Sequence, residues 1–324
     1  MLCFDRVNTR ALESIWCLVS SALFASKRCR CRYHLQSSDL TNVREKAMKT
    51  SVLVCLLLIC SANVSLTAQD QAQVATWKYP ISVAASADAI YVADRQLPGI
   101  WVVKDGKAKV YFKADKKIGS ALNAVRCLAM DQSGHLVAGD SATRDVYRFD
   151  DQRVPLALTG GKIGIPMGIA VAKDGTLFVS DLELKQIVRI PVDSKNVEVV
   201  AAVEAPTGLA LAANGDILVI CRAKDPVRRV TAAGEVSVVV AGTPFGFPQD
   251  IAVDGEGKIF VTDGYAKAIF SATAGEAPTK LFAGDPLVHP VGICRSGDVM
   301  LVVDPRAKKL FRLVDDGLES VLSE

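Results

Sequence analysis

Aspartate recurs at regular intervals along most of this chain, and a basic residue closely follows nearly every copy. A cysteine takes the place of one aspartate, and the steps between successive members are 46, 41, 40, 42 and 41 residues. We call these six residues the anchors: Asp94, Asp140, Asp181, Cys221, Asp263 and Asp304. Carboxylates that converge can hold a hard cation, and carboxylates that alternate with bases can hold an anionic or sugar-like ligand.

A structural interpretation of the same pattern competes with the ligand-binding one. Each aspartate can accept N–H bonds from its own loop and pair with the base that follows. The bases lie three or four residues after an anchor: Arg144, Lys185, Lys224, Lys267 and Lys308. A binding function needs one site, whereas this motif occurs in nearly every repeat. The pattern therefore favours the structural interpretation.

The sequence around each anchor predicts a β-hairpin. The clearest copy, residues 165–181, reads IPMGIAVAKDGTLFVSD, which is two apolar runs joined by a turn at Gly175. Short apolar runs separated by a glycine turn are typical of hairpins. Two further apolar runs follow each hairpin, so each unit of about 41 residues supplies four strands. The chain is therefore predicted to be all-β, a six-bladed β-propeller of four-stranded antiparallel blades.

The opening phrase of the repeat resembles that of the NHL-repeat propellers, whose signature is Pro-x-Gly followed by apolar residues, a glycine turn and a final Asp. The best copies are PMGIAV at 166–171, PTGLAL at 206–211 and PQDIAV at 248–253. The resemblance covers about residues 75–324 and implies an NHL-like six-bladed propeller. We expect the two ends of the chain to close the ring, with residues 73–77 adding a strand to the last blade.

The first 68 residues differ in composition from the remainder. They hold nine of the 38 basic residues, four of the 35 acidic residues and six of the nine cysteines. The remainder carries a net charge near −2, so the +3 of the whole chain does not indicate a nucleic-acid partner. We therefore expect no nucleic acid to bind the propeller.

Residues 48–68 have the order of a secretory signal peptide. Lys49 precedes the apolar run 51–62, and a small and polar stretch follows that run. The run is too short to span a bilayer comfortably, so we expect cleavage and export of a monomeric propeller, residues 69–324, to the periplasm or the exterior. Residues 1–47 are interpreted as a basic leader ahead of the true start at Met48, and a signal anchor is the alternative.

Three cysteines remain in the predicted propeller: Cys127, Cys221 and Cys294. Each lies in a predicted strand, and no pair is placed for a disulfide. We interpret them as buried thiols that pack as small hydrophobic residues. Cys221, which precedes Arg222, is the one candidate for a reactive thiol.

A propeller binds its ligand at one end of the central channel, where loops entering the first strands meet loops leaving the second strands. The residue after each opening proline points near that mouth: Ile81, Arg126, Met167, Thr207, Gln249 and Val291. This ring predicts a largely apolar mouth. The candidate ligand-binding residues are Arg126, Thr207, Gln249, Asp250 and Asp263. Asp250 stands out because it replaces the glycine of the Pro-x-Gly phrase.

The lactonase propellers of the regucalcin and gluconolactonase group have a similar six-blade plan. They hold one divalent cation on a Glu of the first blade and on an Asn and an Asp that follow opening prolines. At the matching positions this chain has Tyr79, Met167, Thr207, Gln249 and Val291, none of which is a carboxylate. We therefore expect no metal and no cofactor, and we do not assign the lactonase activity of that group to this chain on the basis of the resemblance.

Other catalytic arrangements are also not indicated. The predicted propeller has two histidines, His135 in a turn away from the mouth and His289 beside it, and no Ser-His-Asp or Cys-His pattern. We assign no catalytic residue. The loop 241–247 carries Phe245 and Phe247, which either present an aromatic surface to a partner or pack over the blade edge.

Three functional hypotheses follow from these patterns. The first is an exported, non-catalytic binding propeller that recognises a protein or carbohydrate partner at the mouth. The second is a diverged hydrolase of the lactonase-like class that uses Arg126, Gln249, Asp250 and Asp263. The third is a purely structural module. A bound cation would favour the second hypothesis, and a saturable partner interaction would separate the first from the third.

Overall fold

The computed structural model describes residues 77–115, 117–192, 194–314 and 317–322. The predicted leader at 1–47 and the predicted signal peptide at 48–68 lie outside these residues. Within them all regular structure is β-strand, arranged in six antiparallel four-stranded sheets, which confirms the predicted six-bladed propeller. No helix in this part of the chain is long and apolar enough to cross a membrane.

The first three blades follow one another along the chain, each sheet in sequence order. Their strands are β1 Pro80–Ala85, β2 Ile90–Asp94, β3 Gly99–Lys104, β4 Lys107–Lys113, β5 Val125–Met130, β6 Leu136–Asp140, β7 Asp145–Phe149, β8 Pro155–Ala157, β9 Pro166–Val171, β10 Leu177–Asp181, β11 Gln186–Ile190 and β12 Glu198–Ala202.

The last three blades repeat the same order. Their strands are β13 Pro206–Leu211, β14 Ile217–Cys221, β15 Val227–Val230, β16 Val236–Val240, β17 Pro248–Val253, β18 Ile259–Asp263, β19 Ala268–Ala272, β20 Thr279–Ala283, β21 Gly292–Ser296, β22 Val299–Asp304, β23 Lys309–Val314 and β24 Gly317–Ser320.

The second strand of each blade is buried along nearly its whole length. In β14 and β18 every residue is buried, whereas the fourth strands β16 and β20 are largely exposed. A strand between two sheets needs apolar side chains on both faces, and an outer strand needs only one. The apolar runs that end at the anchors are therefore the buried strands, as the repeat predicted.

The core is divided into six clusters, and each cluster lies between two neighbouring blades. The inner strands β1, β5, β9, β13, β17 and β21 contact one another in a closed ring around the channel. The third residue of each opening phrase lies where these inner strands meet. At Gly168 an added Cβ would lie 2.9 Å from both Leu209 N and Thr207 O of the next blade, so glycine permits the close approach.

The ring closes between blades 6 and 1 through side-chain packing. All four described strands of blade 6 come from one continuous C-terminal stretch, and all four of blade 1 from one continuous N-terminal stretch. Trp77 is not part of a strand; it is buried with Trp101 of blade 1 and Val303 of blade 6. Residues 73–76, which were expected to add a strand, lie outside the described residues.

Candidate functional site

A pocket of about 180 Å³ occupies the mouth of the channel, and we call it the mouth pocket. Of the six residues predicted to point toward the mouth, five line this pocket: Ile81, Arg126, Met167, Gln249 and Val291. Tyr79 and His289, which precede an opening proline, also line it. The loops that enter the first strands therefore build this site, as the repeat predicted.

The mouth pocket is strongly cationic, so the expectation of a largely apolar mouth was wrong. Arg95 and Arg222 line it together with Arg126. Each of the two additional arginines directly follows an anchor, Arg95 after Asp94 and Arg222 after Cys221. These two arginines were not among the predicted site residues, which were taken from the positions after the opening prolines. The position directly after each anchor recurs in every repeat, so the sequence could have indicated it.

The three guanidinium groups have no carboxylate partner. Among the described residues, no ion pair involves Arg95, Arg126 or Arg222. Arg126 Nε donates to Ser141 Oγ at 3.0 Å, and Arg222 Nη2 donates to Gln249 Oε1. These neutral acceptors orient the side chains and leave their charges uncompensated.

Burial and mutual repulsion both act on these charges. Burial lowers the pKa of Arg126, and the nearby charge of Arg95 lowers it further. Burial likewise lowers the pKa of Arg222, with the charge of Arg126 as the next cause. Arginine stays protonated in proteins, so the lowered pKa values record an energetic cost that an anion in the pocket would relieve.

Asp250 is the one carboxylate among the residues that line the mouth pocket, and backbone groups occupy it. Its Oδ1 accepts from Ile251 N at 2.9 Å, and its Oδ2 accepts from Ile293 N of the next blade at 3.1 Å. Burial raises the pKa of this carboxyl to about 7. Asp250 therefore joins blades 5 and 6 at the pocket floor and carries a full negative charge only at higher pH.

The structure distributes the five predicted site residues among different environments. Arg126, Gln249 and Asp250 meet in the mouth pocket. Thr207 is buried outside the pocket lining, where its Oγ1 makes no hydrogen bond among the described residues. Asp263 is fully buried and accepts N–H bonds from its own loops, so it can position neighbouring residues but does not present its carboxylate to a ligand.

The anchors act as loop holders. Asp181 accepts four backbone N–H bonds, from Gly164 and Ile165 before the first strand and from Glu183 and Leu184 after the second. The other aspartate anchors make equivalent bonds. Arg144 pairs at 2.9 Å with Glu183 of the next blade rather than with an anchor. The architectural interpretation therefore accounts for the repeated aspartates.

An aromatic pair lies beside Arg222. The guanidinium of Arg222 lies 4.4 Å from the ring centre of Phe247, and the ring of Tyr265 is stacked on Phe247 at 4.7 Å. Tyr265 is 68% exposed. Phe245, in contrast, packs edge-on against Phe270. Neither Phe247 nor Tyr265 lines the mouth pocket itself. Phe247 contacts the pocket residue Arg222, whereas Phe245 packs in the blade core.

His289 is held in place at the edge of the pocket. Its Nδ1 lies 2.9 Å from the carbonyl oxygen of Gly264, and its backbone N–H donates to the anchor Asp304. When Nδ1 carries the proton and donates to that carbonyl, Nε2 is left as an acceptor. His135 lies away from the mouth in a hairpin turn, next to Asp131 and Asp151.

The channel below the mouth is a second cavity of about 340 Å³. Cys127 and Cys294 line it, and Cys221 is buried in the core between blades 3 and 4. All three thiols are free, and burial raises the pKa of each, that of Cys221 to about 11. A thiol that stays protonated is a poor nucleophile, so Cys221 does not have the setting of a reactive cysteine.

The mouth donors suit anions rather than cations. Within the described ranges, no group of three or more His, Cys, Asp or Glu side chains is arranged to hold a metal ion. A hard cation requires several converging oxygens, whereas this pocket presents arginine N–H donors and one carboxyl that is already bonded to the backbone. The lining therefore does not reproduce the oxygen-rich cation site of the lactonase propellers.

The fold and site together define a six-bladed β-propeller with an arginine-lined channel mouth. No protein-family model matches the chain, and no curated protein matches it. Solved structures resemble it at the level of fold. A catalytically inactive variant of virginiamycin B lyase from Staphylococcus aureus, with quinupristin, is 17% identical, with a TM-score of 0.60 over 76% of this chain and 84% of that chain.

Two further propellers are similar to the same extent. A gluconolactonase from Xanthomonas campestris is 16% identical, with a TM-score of 0.61 over 75% of this chain and 86% of that chain. A chain of a nidogen/laminin complex is 16% identical, with a TM-score of 0.59 over 75% of this chain and 93% of that chain. Because one architecture hosts a lyase, a lactonase and a protein complex, function must be argued from the site.

Proposed function

We propose that this protein is an exported, monomeric, non-catalytic binding propeller that holds a protein or carbohydrate partner in its channel mouth. One observation carries the proposal: three guanidinium groups from three blades converge in one pocket, and none of them forms an ion pair with a carboxylate of the described residues. Clustered like charges cost stability, so an arrangement that assembles them without compensation is better suited to a ligand than to the fold.

The surroundings of the pocket support binding rather than turnover. Asp250 is bonded to two backbone N–H groups and Asp263 holds its loops, so both carboxylates are already engaged by the backbone. The three thiols are protonated at neutral pH because burial raises the pKa of each. The nidogen/laminin complex provides a propeller of this plan in a protein assembly.

A panel of immobilised neutral and acidic oligosaccharides tests this proposal. The full chain is compared with Arg126→Ala/Arg222→Ala and with the control Arg229→Ala/Arg312→Ala, which removes two arginines of outer strands. Saturable binding that the mouth variant loses and the control retains is the expected result. Binding that both variants retain, or no binding to any sugar or co-purified protein, would contradict the proposal.

A second candidate function is a diverged hydrolase of the lactonase-like class, and His289 is the observation that favours it. Its Nδ1 contact with Gly264 O leaves Nε2 as a possible base in the pocket that also holds Arg126 and Gln249. The Xanthomonas campestris neighbour is a gluconolactonase. Lactone hydrolysis by the wild type that His289→Ala abolishes, with folding intact, would favour the enzyme over the binding protein.

Export is supported by the order of residues in the leader alone. Lys49, the apolar run 51–62 and the polar stretch after it follow the pattern of a cleaved signal. Amino-terminal sequencing of the protein recovered from the producing cell and from its surroundings tests this. A mature end near residue 69 in the exported fraction is expected, and a start at residue 1 or 48 in all fractions would contradict cleavage.

A further inference from the structure

We infer that the mouth pocket recognises the carboxylate of an acidic sugar, with the arginines holding the carboxylate and Tyr265 supporting the sugar ring. This inference rests on the proposed binding function and names the chemistry of its ligand. It uses three features of the site: the charge balance, the fixed orientation of two arginines, and the exposed aromatic face beside them.

The charge balance selects an anion. The lining contains the guanidinium groups of Arg95, Arg126 and Arg222 against the single carboxyl of Asp250. His289 and Tyr79 also line the pocket, and neither adds a carboxylate to it. A ligand carboxylate would therefore enter a pocket with a net positive charge and without a competing ion pair.

Arg222 is oriented before any ligand binds. Its guanidinium lies against the ring of Phe247 and donates to Gln249 Oε1, so two contacts within the protein orient the group. Its Nε is buried and makes no hydrogen bond among the described residues. An unpaired buried donor is costly, so the fold by itself does not satisfy all the donors of Arg222.

Arg126 supplies a second oriented guanidinium. Its Nε donates to Ser141 Oγ, and its remaining N–H donors have no partner among the described residues. Arginine presents a planar fork that matches the two oxygens of a carboxylate. Two such forks in one small pocket, from blades 2 and 4, favour a compact anion over an extended chain of charges.

The aromatic face indicates that a ring accompanies the anion. Tyr265 is stacked on Phe247 at an interplanar angle of 19° and is 68% exposed. The anchor Asp263 accepts the N–H groups of both Phe247 and Tyr265, so the pair is held rigidly on its loops. Aromatic side chains combine a large apolar face with little flexibility, and the apolar face of a sugar can pack on Tyr265.

The size of the pocket limits how much of the ligand it takes. Its volume of about 180 Å³ is below the roughly 300–1,000 Å³ of sites that enclose drug-sized ligands. One sugar residue, either terminal or protruding from a chain, fits this limit. The net charge near −2 of residues 69–324 also opposes a densely charged polyanion such as a nucleic acid.

Titration calorimetry with two matched probes tests the inference. The first is a trisaccharide of hexuronate residues, and the second is the same trisaccharide with each carboxylate reduced to a primary alcohol. The full chain should bind the uronate about tenfold or more tightly than the reduced probe, because charge-assisted hydrogen bonds are the strong ones. Higher salt should weaken only the uronate interaction.

Single substitutions identify the contacts. Arg126→Ala and Arg222→Ala should each lower uronate affinity by about tenfold, and Arg222→Lys should not restore it because lysine lacks the planar fork. Tyr265→Ala should weaken both probes by a similar factor, and Arg229→Ala should change neither. Circular dichroism of each variant checks that it is folded.

The outcomes separate this inference from the function on which it rests. Equal affinity for the two probes, or tighter binding of a sugar phosphate than of the uronate, would overturn recognition of a carboxylate. Failure of the uronate to bind would overturn it as well. The binding function would survive any of these results if a neutral sugar or a protein still bound in a manner that Arg126→Ala/Arg222→Ala abolished.

Discussion

Asp250 shows how a single residue can depart from a repeat for a structural reason. The third residue of the opening phrase lies where adjacent inner strands approach, and in blades 3, 4 and 6 it is glycine. In blade 1 it is Ser82, whose Oγ accepts from Leu128 N of blade 2. Asp250 makes the corresponding bond to Ile293 N of blade 6. The departure that suggested a ligand contact therefore forms a bond between blades.

Asp250 also predicts a pH dependence of stability. Its folded pKa of about 7 exceeds the ordinary value of 3.8. Between about pH 4 and 7 the unfolded chain releases a proton that the folded chain retains, so the contribution of Asp250 to stability falls as pH rises. Asp250→Asn removes this titration, so from about pH 4 to 8 the variant should gain on the order of 2–4 kcal/mol relative to wild type.

Urea unfolding of both proteins across this pH range measures the difference. The exposed turn substitution Asp174→Asn serves as the control and should show no comparable gain at higher pH. A constant difference between wild type and Asp250→Asn at all pH values would show that Asp250 has an ordinary pKa in the folded protein.

At the scale of elements, each of the five blades with an aspartate anchor depends on it and on the close approach of its inner strand. An anchor carboxylate satisfies N–H groups from two loops at once, so it fixes where the second strand ends relative to the start of the first. The same loops carry Tyr79, Arg95 and His289 into the mouth pocket, whereas Arg222 follows Cys221, the anchor without a carboxylate. The architectural residues thus position the ligand-binding candidates.

Removal of one anchor should be costly. Asp181→Ala would leave four backbone N–H groups without their acceptor, and each unsatisfied buried donor costs about 1–3 kcal/mol. We expect a loss of about 3 kcal/mol or more in the free energy of unfolding. Asp174→Ala, in the exposed hairpin turn of the same blade, should cost far less. Equal effects in denaturant unfolding would contradict the anchor role.

The inner strands leave no room for a methyl group at Gly168. A Cβ there would lie 2.9 Å from Leu209 N and Thr207 O, both backbone atoms of the next blade. Gly168→Ala should therefore lower stability by about 1–3 kcal/mol through overpacking. Gly317→Ala, where an added Cβ meets nothing within 4 Å, is the matched control. If Gly168→Ala left the midpoint of thermal unfolding unchanged, the two inner strands could move apart without a loss of stability.

At the scale of the whole molecule, the ring closes where blade 6 meets blade 1. No described strand of blade 6 comes from the N-terminal part of the chain. The junction instead rests on a buried cluster in which Trp77 packs edge-on against Trp101 at 5.9 Å. Glycine at 292 allows the inner strands of blades 6 and 1 to meet, since a Cβ there would lie 2.8 Å from Ile81 O. Among the described residues, blades 6 and 1 are thus joined by this packed cluster and share no sheet.

Trp77 should therefore contribute strongly to the stability of the whole propeller. Trp77→Ala removes a large side chain that is 6% exposed, and such truncations cost about 3–5 kcal/mol. Tyr265→Ala, which removes an aromatic ring that is 68% exposed, is the control and should have a small effect. Comparable midpoints of thermal unfolding for the two variants would show that closure does not depend on Trp77.

The sequence by itself determined the repeat, the four strands of each blade and the burial of the strands that end at the anchors. These features are local: apolar alternation, glycine turns and opening prolines recur at a fixed spacing and need no knowledge of distant residues. It also identified Arg126, Gln249 and Asp250 as residues near the mouth.

Only the tertiary structure decided what the mouth contains. Arg95, Arg126 and Arg222 lie in three different blades, and closure of the ring brings them into one pocket. The structure also decided that the carboxylate of Asp250 is engaged, because one of its donors, Ile293 N, belongs to the next blade. The chemistry of the site depends on which groups meet and which are already bonded, and both are properties of the closed ring.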